Sequence, residues 1–137
     1  GQGKVLATPA QMALIAAAIA NDGVAVRPRL VAGEAPAAAG RFMQAATARK
    51  LQTMLRRAVA EGTGRGIETP GLAIAGKTGT AENPFGASHS WFIGFAPADR
   101  PALAFAVLVE HGGYGSTAAA PIARDLLLLA RERGHLP

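Results

Sequence analysis

Apolar residues recur along this chain with two different periods. Met12, Ile15 and Ile19 fall on one face of a helix with Ala16 beside them. Thr8-Pro9-Ala10-Gln11 is a capping box with proline at the first helical position, where a missing N–H loses no hydrogen bond. Asn21-Asp22-Gly23 supplies a left-handed stop, so the pattern predicts a buried amphipathic helix running to about Asn21. A second helix is predicted from about Thr47 to Glu61, where Leu51, Met54, Leu55, Ala58 and Val59 fall at i, i+3, i+4, i+7 and i+8 and Gly62 ends the run. A third, about Thr117 to Arg133, puts Ile122, Leu126 and Leu129 on one face, with Pro121 near its start and Gly134 at its end.

The other period is that of strands. Leu72 to Glu82, Ser90 to Ala96 and Ala102 to Glu110 are short apolar segments separated by Asn83-Pro84-Phe85-Gly86 and Pro97-Ala98-Asp99-Arg100-Pro101. Connections this short hold no crossover helix, so the strands are predicted to run antiparallel as a meander. Val24 to Val31 alternates weakly and contains Pro28, which fits a short edge strand or extended segment, and Gly33 to Gly40 reads as an exposed connector. Gly62-Thr63-Gly64-Arg65-Gly66 reads as a flexible loop, since a phosphate cradle needs a strand before it. The expected fold class is α+β: a three-stranded antiparallel meander with the C-terminal helix on one face and two earlier helices packed nearby.

Composition narrows the picture. With 137 residues, 50% of them hydrophobic and 17% charged, the chain suits one globular unit rather than disorder. Its longest apolar runs fall short of the roughly 18 residues that span a bilayer. The net charge of +5 is scattered from Lys4 to Arg133 instead of forming a basic patch, so no nucleic-acid partner is expected. There is no cysteine, and His89, His111 and His135 are too far apart for a local ligand pair, so neither a metal nor another cofactor is expected.

One stretch carries chemistry. Gly71-Leu72-Ala73-Ile74-Ala75-Gly76-Lys77-Thr78 matches the phosphate-loop pattern letter for letter. That geometry requires a strand before the first glycine and a helix starting at Lys77-Thr78, yet Glu68-Thr69-Pro70 precedes and Gly79-Thr80-Ala81-Glu82-Asn83-Pro84 follows. The same residues make better sense as a strand presenting Lys77-Thr78-Gly79-Thr80 on a sheet edge, with Lys77 and Gly79 on one face and Thr78 and Thr80 on the other. An ammonium beside hydroxyls receives a carboxylate, and an edge strand pairs with an extended peptide.

Ala75-Gly76-Lys77-Thr78-Gly79-Thr80-Ala81-Glu82 resembles the Lys-Thr-Gly motif of penicillin-binding proteins, within the serine acyl-transferases that include serine β-lactamases. Ser90-Trp91-Phe92-Ile93-Gly94-Phe95-Ala96-Pro97 resembles the strand that follows it. Gly1-Gln2-Gly3, Thr8-Pro9-Ala10-Gln11-Met12, Ala20-Asn21-Asp22-Gly23 and Gly62-Thr63-Gly64 occur in the order seen before that motif in transpeptidases. The family's other two motifs are missing: Ser88, Ser90 and Ser116 are the only serines, none has lysine three residues on, and there is no Ser-x-Asn.

The resemblance implies that residues 1–137 are the C-terminal portion of a penicillin-binding transpeptidase domain, with Gly1 falling where the nucleophile-bearing part would end. It implies a parent enzyme, a peptidoglycan D,D-transpeptidase that binds stem peptides ending in D-Ala-D-Ala and β-lactams, anchored on the extracytoplasmic face of the membrane. Lys77 would supply positive potential, the Thr78 and Thr80 hydroxyls would bind the terminal carboxylate beside Gly79, and the Thr80 N–H would form half of the oxyanion hole. This chain alone is expected to be inactive, and to expose an apolar strand edge or face of its sheet through which it self-associates. The rival readings are a penicillin-sensing receptor or serine β-lactamase of the same fold and, more remotely, a phosphate-loop nucleotide-binding domain. Trp91 and the neighbouring phenylalanines are read as core, His89 as core or surface, Glu82 as solvent-facing, and Arg56-Arg57 and Arg131-Glu132-Arg133 as solvated helix faces.

Overall fold

A computed structural model describes residues 4–31 and 33–137. Its elements are α1 (Pro9–Ala20), β1 (Val24–Val26), β2 (Ala38–Arg41), α2 (Ala45–Ala60), β3 (Ala75–Ala81), β4 (His89–Ala96), β5 (Leu103–Val109) and α3 (Ala119–Glu132), with a 3₁₀ turn at Arg65–Ile67. The Gly1-Gln2-Gly3 block lies outside the described residues.

β3, β4 and β5 form the expected antiparallel meander, with β4 in the middle and β3 at an edge. Because facing residues of an antiparallel pair share a side of the sheet, the register sorts the side chains. Thr78 faces Phe92 and Thr80 faces Ser90, whereas Lys77 faces Ile93 and Gly79 faces Trp91. The Phe92 side packs against α3: Phe92, Phe105 and Ile74 bury with Ala119, Ala120, Ala123, Leu127 and Ala130. On the opposite side, Phe95 and Ala75 pack with Ile19 of α1 and with Leu51 and Leu55 of α2. The sheet is thus the middle of three layers.

Two glycines make the α3 layer fit. Gly76 lies opposite Gly94, and a Cβ on Gly76 would come within 2.7 Å of the Phe92 ring and 2.6 Å of the Ile93 carbonyl. On Gly94 it would strike the Ala75 carbonyl and reach 3.1 Å from the Phe105 ring. The two phenyl rings, stacked with centroids 5.9 Å apart, fill the notch that the missing side chains leave.

Several helix and loop expectations are corrected. Ile122, Leu126 and Leu129 do not face the sheet: they are 49%, 42% and 48% exposed. The alanines of α3 turn inward because small side chains let the helix lie close to the strands, and Leu127 alone among its leucines is fully buried. α1 has its capping box but no polar face; it is apolar nearly all round and buries Ala16, Ala18 and Ile19. On α2 the buried face is centred on Ala48 and Val59, leaving Met54 63% exposed. The supposed connector between Gly33 and Gly40 runs into β2, which begins at Ala38 and pairs antiparallel with β1.

The glycine-rich run after α2 is a compact turn rather than a flexible loop. Gly62 and Gly64 pack so tightly that added Cβ atoms would lie 2.8 Å and 3.1 Å from the Ala58 carbonyl. Arg56 is also no solvated residue. Its guanidinium donates to Glu68 at 2.7 Å and to the Ile74 carbonyl at 3.1 Å, tying α2 to the entrance of β3. The hydrogen bond that Arg56 donates to Glu68 raises the Arg56 pKa above its usual value, against a smaller opposing effect of burial. Arg57 does face solvent, paired with Glu61 at 3.1 Å.

Candidate functional site

β3 carries Lys77, Thr78, Gly79 and Thr80 along the sheet edge. Lys77 and Thr80 are exposed, and Thr78 and Gly79 are half-buried. No helix begins at Lys77-Thr78, so the phosphate-loop match has none of the geometry that would cradle a phosphate.

The alternation places Lys77 on the α1 side of the sheet and the two threonine hydroxyls on the α3 side. Lys77 nevertheless bends over the strand: its Nζ donates to the Thr78 carbonyl at 2.8 Å and lies 3.4 Å from Thr78 Oγ1. Ammonium and hydroxyl therefore converge on one spot at the strand edge. Backbone groups of alternate residues in an antiparallel ladder point away from the partner strand. Thr78 and Thr80, two residues apart, therefore direct their backbone groups to the same side of the strand.

Sequence reasoning missed Thr63. The turn after α2 brings its hydroxyl within 2.8 Å of Thr78 Oγ1, so Thr78 sits between a hydroxyl and an ammonium. The contact joins residues 15 apart in the chain, and the ordered glycine-rich block was its only sequence signal.

The strand is also held from behind. A Cβ on Gly115 would lie 2.5 Å from the carbonyl oxygens of both Gly79 and Trp91, so the segment after β5 rests directly on the ladder at the motif's glycine. Ser90 fixes that segment. Fully buried, its Oγ donates to the Tyr114 carbonyl and accepts from the Ala119 N–H, each at 3.0 Å. The hydroxyl caps α3 from another element, since the methyl group of Ala118 cannot accept a hydrogen bond. Trp91, expected in the core, is only half-buried.

The histidines serve the adjoining loop. His89 Nδ1 accepts from the His111 N–H at 3.0 Å, and His111 Nδ1 lies 3.1 Å from the Ala87 carbonyl. These bonds dock the β3–β4 turn on the segment after β5, a structural role that leaves Ser88 and Ser90 without a general base. Glu82 is exposed. Among the described residues no group of three or more His, Asp or Glu side chains is placed to hold a metal ion, and no helix is long and apolar enough to cross a membrane.

Residues 1–128 match the family described as the penicillin binding protein transpeptidase domain, and the chain belongs to that family. Peptidoglycan D,D-transpeptidase PbpA of Mycolicibacterium smegmatis is 39% identical over 98% of this chain, and MrdA of Acinetobacter baumannii 38% over 99%. The chain spans 31% and 24% of those two relatives. A ceftriaxone acyl-enzyme complex of penicillin-binding protein A from M. tuberculosis superposes with a TM-score of 0.87 at 36% identity, covering 93% of this chain and 33% of that one. PBP2 from Helicobacter pylori gives 0.89 at 28% identity, covering 99% of this chain and 26% of its own.

Proposed function

We propose that residues 1–137 are the C-terminal, ligand-gripping portion of the transpeptidase domain of a serine-type peptidoglycan D,D-transpeptidase. The observation that carries this reading is the convergence of Lys77 Nζ and Thr63 Oγ1 on Thr78 at an open strand edge. The ammonium and hydroxyls receive the terminal carboxylate of a peptide ending in D-Ala-D-Ala, while the peptide pairs with β3 as an added strand. Gly79 keeps that approach clear. The scissile carbonyl lies over the Thr80 N–H, which donates to the developing oxyanion together with the N–H of a nucleophilic serine outside residues 1–137. A β-lactam carries its carboxylate and strained carbonyl at matching positions and acylates the same serine. The parent protein works outside the cytoplasmic membrane, where peptidoglycan lies, and is held there by an anchor.

Labelled penicillin tests the proposal. The full-length protein carrying these residues is expected to form a covalent adduct that persists, and to release D-alanine from a D-Ala-D-Ala peptide. Lys77→Ala is expected to slow acylation by about 100-fold or more, the scale of losing an electrostatic partner of the transition state. Residues 1–137 alone are expected to form no adduct. Failure of the full-length protein to acylate would overturn the proposal, and rapid turnover of the penicillin would reassign it to a β-lactamase.

A further inference from the structure

The hydroxyl oxygens of Thr63 and Thr78 are 2.8 Å apart, and either can be the donor. The direction matters because each hydroxyl has a single proton. Lys77 Nζ lies 3.4 Å from Thr78 Oγ1, and an ammonium only donates, so the Thr78 oxygen meets it as an acceptor. The Thr78 proton then has two places to go: back to Thr63, or out to an anion at the strand edge. Thr63 decides between them. If Thr63 donates, both contacts of the Thr78 oxygen are with donors and its own proton is turned outward. The Thr63 hydroxyl makes no other hydrogen bond among the described residues, and a hydroxyl proton rotates to suit its partner, so nothing opposes that direction.

The backbone holds the pair at this distance. Thr63 stands between Gly62 and Gly64, whose added Cβ atoms would lie 2.8 Å and 3.1 Å from the Ala58 carbonyl of α2. That carbonyl accepts from the Gly64 N–H at 3.0 Å, and the Gly64 carbonyl accepts from the Ile67 N–H at 3.1 Å. From the same end of α2, Arg56 donates to the Ile74 carbonyl, just ahead of β3, at 3.1 Å. Turn and strand are thus fastened to one helix, and the Thr63 hydroxyl is in place behind Thr78 before any ligand arrives. Hydrogen bonds in a chain polarise one another, so a Thr78 hydroxyl that accepts from Thr63 is the stronger donor.

Given the transpeptidase reading above, we propose that Thr63 is a positioning residue: it donates to Thr78 so that Thr78 donates to the ligand carboxylate. The chain of donation runs from the turn after α2, through the strand, to the anion. An ester in place of the carboxylate accepts a weaker bond at the end of that chain and draws less on Thr63.

Two ligands separate this role from a structural one. Second-order acylation rates of the full-length protein are measured with a penicillin and with its methyl ester. Thr63→Val keeps the side-chain shape and removes the hydroxyl. It is expected to slow acylation by the free acid about three- to tenfold, the scale of one hydrogen bond, and to change the ester's rate by less than about twofold. Thr63→Ser, which keeps the hydroxyl, is expected to restore most of the free acid's rate. An unchanged rate for the free acid in Thr63→Val overturns the assignment, as does an equal fall for both ligands, the mark of a displaced strand, or a failure of Thr63→Ser to restore the rate. If the unsubstituted protein forms no acyl-enzyme, the transpeptidase reading fails and this assignment with it.

Discussion

A methyl group on Gly115 would press on the carbonyls of Gly79 and Trp91 from 2.5 Å away, and neither can yield without moving the ladder. Gly115→Ala is therefore expected to slow penicillin acylation of the full-length protein more than it lowers the melting temperature, because the displaced strand is the one proposed to grip the ligand. Ser90→Ala would strand a carbonyl and an N–H at the start of α3. An expected loss of about 1–3 kcal/mol, read from urea unfolding, follows from leaving buried polar groups unpaired. Arg56→Ala removes bonds to Glu68 and Ile74, but the side chains of Arg56 and Glu68 are 30% and 37% exposed. Its expected cost is correspondingly smaller, about 1 kcal/mol by the same measurement.

The elements differ in how far the sequence announced them. The three long strands were legible because breakers bound each one and the connections are too short for anything but a meander. The edge position of Lys77-Thr78-Gly79-Thr80 followed from the same reading. The β1–β2 hairpin was not legible: β2 reads Ala38-Ala39-Gly40-Arg41 and is exposed throughout, so it has no buried side to print a period of two. α3 misled for another reason. Its large apolar residues draw attention outward, while the face that packs is written in alanine, which any pattern scores as neutral. Thr63 was hidden because a contact between a turn and a strand leaves no periodic trace.

For the molecule as a whole, Ile122, Leu126 and Leu129 form an apolar stripe on the outer surface of α3, a helix face and not the sheet surface through which self-association was expected. Leu126→Glu is expected to shift residues 1–137 toward the monomer in sedimentation velocity, since one charge in such a stripe opposes burial. No change in the association would locate the contact elsewhere. The three layers also connect the ligand edge to the interior in a way that can be observed. Gly76, the residue before Lys77, lies against the Phe92 ring, and Gly94 against that of Phe105. Protons so close to aromatic rings resonate away from the usual glycine range, giving the fold its own magnetic reporter beside the motif. A peptide or β-lactam bound as proposed along β3 is expected to shift these two glycine signals.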